Sequence, residues 1–462
     1  MAGAKDLLLV AKSAVTFCFG ISFIANMFLE SPLIDSLNLG LMTAVVALSF
    51  VSSKGSARTI GTLLLFSGAV LLICSHAPLS AWKQALQENS QLVVMFIMVP
   101  LLGIPIRCGG YGDPLRKAFG RHAGTGTRYY ALVSVMTALL GVLLSIAAVP
   151  LSYEISRTSH HCERKELISA ALSRGFVTCM IWAPTSATIA LTVQLTGVDW
   201  MELFPAAFAC ALLAGAVGAL MVCVGEKGRA SPRATETSED RSDVPDLPKI
   251  IELCVFFLAL IAFIIALSQM AGLSVIVAVA TASLLLPAAW MMGIGKLPVY
   301  EKELREEYFK RKLPLAGNQI ALFVGAGFFA QGMSSSHAGD VLAGALAQSV
   351  GQSVLLLTVA VIGLTLATSA VGIHPVAIVA AAGGVMNASG CGVTPVYAAL
   401  VLSISWAMGN ALCPASANVV AVSNLVGRSP VEVSLRWNGP YVLVTSSVLV
   451  LALLFMRMAR LV

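Results

Sequence analysis

Hydroxyl and amide side chains follow a proline at two places in this chain, each time inside an otherwise apolar stretch. These residues are Pro184, Thr185, Ser186 and Thr188 in the first stretch, and Pro414, Ser416 and Asn418 in the second. Proline interrupts a helix because it lacks an amide hydrogen and its ring clashes with the preceding turn. The exposed N–H groups and the helix dipole attract an anion, while freed carbonyl and side-chain oxygens can coordinate a small cation. We therefore predict that these seven residues line a substrate or ion site.

The two stretches are copies of one another at a spacing of 230 residues. Pro184 corresponds to Pro414 and Ser186 to Ser416, and further matches extend without a gap over residues 172–202. Two interrupted helices in corresponding positions of a membrane chain are the best sequence indication of a transporter's binding site.

Other polar residues are expected to complete this site, namely Ser145, Thr368 and Ser369. His374 lies beside the last two and is either a proton-coupling group, since imidazole titrates near pH 6.5, or a neutral histidine bonded to backbone. Arg174 precedes the first proline by ten residues, about 15 Å along a helix. Either it faces an inner vestibule and attracts an anion, or it snorkels or pairs with another group.

The composition is that of a membrane protein. Of the 462 residues, 58% are hydrophobic and 11% are charged, whereas a soluble domain carries about 25% charged residues. The net charge of +6 comes from residues in short loops between apolar runs, and so does not indicate nucleic-acid binding. Because no Asp, Glu and His constellation suits catalysis, we expect no enzyme activity, no cofactor, and no metal other than a coupling Na⁺.

A spanning helix needs about 20 apolar residues, and eleven segments fit this description. Nine are continuous: 13–29, 36–53, 59–79, 90–106, 203–224, 250–270, 272–292, 316–332 and 437–456. The other two are the interrupted helices, 166–197 and 397–427. Two more apolar stretches, 129–155 and 352–386, contain small-residue interruptions and are predicted to be re-entrant hairpins. Such non-helical backbone is tolerated at depth only where it is buried in protein or lines a wet cavity.

The basic residues predict the orientation. With the N-terminus in the cytoplasm, 25 of the 29 Lys and Arg residues lie on the inner side, as the positive-inside rule requires. If 129–155 crossed the membrane fully, every later loop would change sides and the asymmetry would be lost. We predict a multi-pass protein of the inner (plasma) membrane whose C-terminus is periplasmic or extracellular.

The spans divide into two similar sets. After an N-terminal extra helix at 1–35 come repeat 1 at 36–224 and repeat 2 at 250–462, joined by a charged cytoplasmic linker at 225–249. Each repeat has five spans, and this odd number inverts the second repeat relative to the first. The predicted fold class is an all-α polytopic membrane protein with about 11 transmembrane helices, two re-entrant hairpins and inverted five-span repeats with two Pro-broken helices.

This combination of hairpins, proline-broken helices and inverted repeats resembles the ion transporter superfamily. That group includes divalent-anion:sodium symporters, citrate transporters and the membrane subunits of tripartite carboxylate transporters. The resemblance extends over about residues 36–457; where the dicarboxylate symporters carry Ser-Asn-Thr at the hairpin tips, this chain has Ser145-Ile-Ala and Thr368-Ser-Ala. The resemblance implies an elevator-type carrier that forms a homodimer.

These observations lead us to expect a secondary active transporter that moves a small anion, foremost a carboxylate, coupled to Na⁺ or H⁺. The alternatives are a cation/proton antiporter or metalloid exporter of the same fold, and the membrane subunit of a multi-component carboxylate uptake system. The expected partners are a small-molecule or ion substrate, the lipid bilayer and a second copy of the chain, without nucleic acid.

Overall fold

The structure, a computed structural model, describes residues 2–53, 55–157, 159–226, 247–336, 353–388 and 393–462. All regular secondary structure in these ranges is helical, as predicted, while 227–246 of the predicted linker lie outside them. The α-helices are Ala2–Leu29, Pro32–Ser52, Gly55–Cys74, Leu79–Gln87, Ser90–Met98, Gly103–Cys108, Gly112–His122, Gly126–Leu144, Ala148–Ser156, Lys165–Trp182, Ala187–Thr196, Trp200–Glu226, Leu247–Met270, Val275–Gly293, Leu297–Glu303, Leu313–Leu315, Gly317–Ser335, Val354–Ala370, Val376–Ala388, Pro395–Leu412, Ala417–Val426 and Gly439–Met458. The 3₁₀-helices are Val99–Leu102, Ser145–Ala147 and His160–Glu163, and the π-helices are Leu304–Lys312 and Glu432–Asn438.

Eleven helical segments in the described ranges are long and apolar enough to cross a membrane, which is the predicted number. One of them, Gly126–Ser156, is the stretch predicted to be a hairpin, and the 3₁₀ turn at Ser145–Ala147 divides it in two. The helix predicted over 59–79 has a shorter apolar part, Arg58–Cys74. The chain is therefore a multi-pass membrane protein.

The chain divides into two compact units. Unit 1 comprises the described residues of Met1–Gly109, Ala259–Gln352 and Ala380–Gly392. Two of its helices approach each other at glycines: a Cβ on Gly61 would lie 2.7 Å from the carbonyl oxygen of Ala321, and one on Gly332 would lie 2.7 Å from that of Gly68. Close packing of small residues drives helix association in lipid, where burial of apolar surface between helices contributes little.

Substitution of Gly68 by leucine is expected to prevent unit 1 from packing. The added side chain would displace the backbone at Phe328, at a cost of about 3 kcal/mol or more. The measurement is the yield of monodisperse protein after detergent extraction. Gly40→Leu is the control, since Gly40 belongs to the same unit and has nothing within 4 Å of its Cβ position. Equal yields from the two variants would contradict this packing.

Unit 2 comprises the described residues of Gly110–Leu258, Ser353–Val379 and Val393–Val462. The interrupted elements are named here hairpin 1 (Gly126–Ser156), broken helix 1 (Lys165–Thr196), hairpin 2 (Val354–Ala388) and broken helix 2 (Pro395–Val426). All of them lie in unit 2 except the end of hairpin 2. The second half of each broken helix packs against the first half of the other, so that both breaks are held within one core.

An ion pair fixes the start of hairpin 1 within unit 2. Arg164 donates two hydrogen bonds to the carboxylate of Glu226, one of them 3.1 Å long from Nη1 to Oε2. This bonding raises the pKa of Arg164 above its ordinary value. Gly126 packs directly on this ion pair. The ion pair therefore holds both the loop before broken helix 1 and the first residue of hairpin 1.

Candidate functional site

The two broken helices are interrupted in the same way. The residue before each proline, Ala183 or Cys413, is extended, with ψ of 127° and 115° respectively. Clash with the proline ring disfavours the helical conformation at that position. Each second half then ends at a left-handed glycine, Gly197 with φ of 69° or Gly427 with φ of 64°. The sequence match at a spacing of 230 residues is therefore also a match in backbone geometry.

Ser186 and Ser416 join the two halves of their helices. Each serine Oγ accepts a hydrogen bond from the backbone N–H three residues later, at 3.2 Å in both copies. Each hydroxyl also donates to the carbonyl six residues earlier, that of Met180 at 3.3 Å or of Asn410 at 2.7 Å. A helix break leaves donors and acceptors without partners, and each serine satisfies one of each kind.

Ser186→Ala and Ser416→Ala are each expected to lower the free energy of unfolding by about 1 kcal/mol, the usual value of a helix N-cap. The thermal midpoint of the purified protein in detergent measures this change. Ser405→Ala is the matched control, because its buried hydroxyl donates only to Val401 of its own helix, at 2.6 Å. A cap variant no less stable than this control would show that the serines do not hold the breaks.

Each hairpin tip is tied to the break of the broken helix that follows it. At the first break, Thr185 donates from Oγ1 to the carbonyl of Val142, at 2.6 Å. At the second break, Cys413 donates from Sγ to the carbonyl of Ile373, at 3.6 Å. The tips and breaks that the sequence assigns to one site therefore lie side by side in pairs.

The tip of hairpin 1 is strained. Ser145 has φ of 51° and ψ of −135°, a conformation that costs a residue other than glycine about 1–3 kcal/mol. Its side chain is exposed. Strain of this kind concentrates at ligand sites and switch regions, and the role of Ser145 in the site stays a prediction.

The tip of hairpin 2 contains three of the predicted site residues. Thr368 donates its hydroxyl to the carbonyl of Leu364 in its own helix, at 2.8 Å. Ser369 is buried, and its Oγ has no partner in the described part of the chain. The Nδ1 atom of His374 accepts from the backbone N–H of Val376 at 3.3 Å, which is the contact expected of a neutral histidine.

Thr188 and Asn418 are the equivalent second residues of the two second halves, and both are 0% exposed. Neither Thr188 Oγ1 nor Asn418 Oδ1 has a hydrogen-bond partner among the described residues, and the same is true of Asn410 Oδ1. Other buried hydroxyls share this condition, but these atoms and Ser369 Oγ are grouped at the breaks and a tip. An unpaired buried polar atom costs about 1–3 kcal/mol, which a bound ligand would offset.

Arg174 is buried in the first half of broken helix 1, where it is 7% exposed. It donates from Nη2 to the carbonyl of Trp437 at 3.0 Å and from Nε to Asn438 Oδ1 at 3.4 Å. Its guanidinium lies over the rings of Tyr441 and Tyr130, 4.6 and 5.8 Å from their centroids. No carboxylate in the described ranges forms an ion pair with it.

Asn418 and Asn438 both donate from Nδ2 to the hydroxyl oxygen of Ser173, each at 3.0 Å. Because Arg174 donates to Asn438, buried polar groups connect the second break with the guanidinium. Neither Ser173 nor Asn438 is among the residues predicted from the sequence. The match of Ser173 with Ser403 in the repeat was a weak indication of its role. The only indication for Asn438 was that it is a polar residue next to an apolar helix.

All twelve predicted site residues belong to unit 2, but their side chains differ in what they do. Bonds within the protein occupy Thr185, Ser186, Thr368, His374 and Ser416. Unpaired buried oxygens belong to Thr188, Ser369 and Asn418. Pro184 and Pro414 set the breaks, Ser145 is exposed at a tip, and Arg174 provides the buried positive charge.

The fold of this chain is similar to that of a transporter of known structure. No protein-family model matches it, and no curated protein sequence matches it. The crystal structure of the Alcanivorax borkumensis YdaH transporter is similar with a TM-score of 0.59 and 14% identity, covering 86% of this chain and 98% of that chain. Neisseria gonorrhoeae MtrF, from a class of antimetabolite efflux pumps, gives a TM-score of 0.48 and 13% identity over 84% of this chain and 94% of that chain. The likeness to YdaH shows a transporter fold, while membership of the ion transporter superfamily stays a prediction.

Proposed function

We propose that this protein is a secondary active transporter that carries a small anion, foremost a carboxylate, together with Na⁺. One observation carries the proposal: unit 2 combines unpaired buried oxygens at two helix breaks with a buried guanidinium that has no carboxylate partner in the described ranges. The transporter fold supports the same function.

The unpaired atoms suit a cation. Thr188, Ser369 and Asn418 offer neutral hydroxyl or amide oxygens, which are ligands for hard cations and do not take up a proton near neutral pH. The Nδ1 atom of His374 is occupied by a backbone N–H. Of the two coupling ions expected from the sequence, this chemistry favours Na⁺ over H⁺.

Arg174 suits an anion. Only two of its five N–H groups have partners among the described residues, and both partners are neutral. A planar guanidinium matches a carboxylate with two parallel hydrogen bonds. A bound carboxylate would therefore supply the charge that balances Arg174.

Two structural features support a carrier of the elevator type, and the basic loops support its place in the inner membrane. The elements that bear the site belong to unit 2, and unit 1 has a core of its own, so unit 2 can be the part that carries the site. The reciprocal packing of the broken helices is what two inverted copies of one element would produce. The cytoplasmic N-terminus follows from the basic loops.

Uptake into proteoliposomes tests this function. A panel of carboxylates and oxyanions is offered under an inward Na⁺ gradient, under a pH gradient, and under neither. We expect the Na⁺ gradient alone to drive accumulation of at least one carboxylate. Accumulation driven only by the pH gradient would refute Na⁺ coupling, and Na⁺ movement against H⁺ without any anion would identify a cation/proton antiporter instead.

A further inference from the structure

Among the described residues, the first break has no buried connection equivalent to the one between the second break and Arg174. There Thr188 has a hydroxyl where the second break has an amide. Ser403, the residue equivalent to Ser173, donates to the carbonyl of Leu400 in its own helix at 3.1 Å. Ile404 occupies the position equivalent to Arg174. The two breaks are therefore alike in backbone geometry and different in their polar connections.

We propose that Asn418, Ser173 and Asn438 form a hydrogen-bonded relay through which a cation at the second break acts on the guanidinium of Arg174. The inference rests on the proposed function, since it takes the Asn418 oxygen as a cation ligand. It adds an order of events to the proposed coupling: Na⁺ binds at the second break first and prepares Arg174 for the anion. Asn418, Ser173 and Asn438 are the positioning residues for the guanidinium.

The relay begins at an amide that can receive a cation on one side and donate on the other. Asn418 Oδ1 has no partner in the described ranges, and its Nδ2 donates to Ser173 Oγ at 3.0 Å. A cation on Oδ1 polarises the amide and strengthens the Nδ2–H donor. Hydrogen bonds in a chain polarise one another in this way, more so where the local dielectric is low.

Ser173 passes the change onward because its oxygen accepts both amide donors, so that a stronger bond from Asn418 weakens the bond from Asn438 Nδ2, which is 3.0 Å long. The Oδ1 atom of Asn438 accepts from Arg174 Nε at 3.4 Å, a long bond that loosens further when the amide of Asn438 is less polarised, and this frees the Nε–H of Arg174 for an anion. Ser173, Asn418 and Asn438 are all 0% exposed. Water therefore does not compete for these hydrogen bonds, and a change in the strength of one of them alters the next.

The receiving end of the relay has an unusual backbone. Asn438 is the last residue of the π-helix Glu432–Asn438, and Trp437, one residue earlier, accepts from Arg174 Nη2. Short π-helical segments are rare and are frequent at functional sites. Both of the hydrogen bonds described for the guanidinium thus end on this π-helix. A movement of Asn438 therefore changes the orientation of the guanidinium.

Two measurements on the purified protein in detergent test the relay, with sodium chloride compared against choline chloride. The thermal midpoint reports Na⁺ binding, and the rate at which phenylglyoxal modifies Arg174, followed by mass spectrometry, reports the state of the guanidinium. In the wild type we expect Na⁺ to raise the midpoint and to speed modification of Arg174 about fivefold or more, the lower end of usual coupling between sites. In Asn438→Leu we expect Na⁺ still to raise the midpoint but to leave the modification rate unchanged.

The outcomes separate the relay from the proposed function. Ser405→Ala, outside the relay, is the control and should behave as the wild type. Faster modification of Arg174 in Na⁺ that persists in Asn438→Leu would overturn the relay and leave Na⁺ binding intact. Absence of any Na⁺ effect on the wild-type midpoint would overturn the Na⁺ site and the relay with it. If Asn438→Leu does not fold, Ser173→Ala removes the shared acceptor with the same expectation, and Ser173→Thr should restore the effect of Na⁺ on the modification rate.

Discussion

Replacement of Arg174 by methionine is expected to lower anion uptake about 100-fold while the protein stays folded. Loss of one partner of a buried charge pair costs about 2–5 kcal/mol, and about 3 kcal/mol corresponds to this factor. Methionine fills much of the same volume between the rings of Tyr130 and Tyr441. Because a buried charge without a counter-ion is itself costly, we expect the thermal midpoint to stay within a few degrees of the wild-type value.

The controls for Arg174 separate binding from packing. Arg436→Met removes an exposed arginine of the same unit and should leave uptake unchanged. Arg174→Lys keeps the charge without the planar fork and should retain partial uptake. If Arg174→Met lost stability in parallel with uptake, the guanidinium would be a clamp between helices and not an anion ligand.

Thr188→Val and Asn418→Leu are each expected to weaken Na⁺ binding at least tenfold while the protein stays folded. Each substitution removes a buried oxygen that has no partner among the described residues. In the absence of Na⁺, Thr188→Val should therefore gain stability or stay unchanged, whereas Asn418→Leu also loses the hydrogen bond from Nδ2 to Ser173 and should lose about 1 kcal/mol. Loss of one ligand oxygen, by contrast, removes about 1.4 kcal/mol or more from the binding of a cation. The measurement is the Na⁺ concentration that gives half of the maximal rise in thermal midpoint.

Thr196→Val provides the matched control for Thr188→Val. It lies on the same half-helix and is buried, but its hydroxyl donates to the carbonyl of Thr192 at 2.7 Å. The midpoint should fall slightly in this variant, and the Na⁺ dependence should not change. The same Na⁺ dependence in Thr188→Val and Thr196→Val would exclude Thr188 as a ligand.

The architecture could be predicted because its determinants are local or periodic. Pro184 and Pro414 end the helices before them through the conformation that they impose on the preceding residue. Because the two copies are 230 residues apart, the first break predicts the position of the second. Long apolar runs gave the number of candidate spans. These signals need no knowledge of which segments pack together.

The use of each polar side chain could not be predicted, because it depends on partners distant in the chain. Ser186 and Thr188 are similar in sequence context, yet the hydroxyl of Ser186 donates to the carbonyl of Met180, whereas the hydroxyl of Thr188 has no partner among the described residues. The surroundings of Arg174 come from hairpin 1 and from the π-helix, more than 260 residues later in the case of Asn438. Only the packing of the broken helices brings such residues together.

Parallel fluxes of radiolabelled sodium and of the best-transported carboxylate, measured in the same proteoliposomes, test Na⁺-coupled anion transport most directly. We predict that each ion requires the other for entry, and that both fluxes disappear in the Thr188→Val, Asn418→Leu double variant although it remains folded. Entry of the carboxylate at an unchanged rate without sodium, or equal coupled fluxes in the double variant, would contradict the proposal.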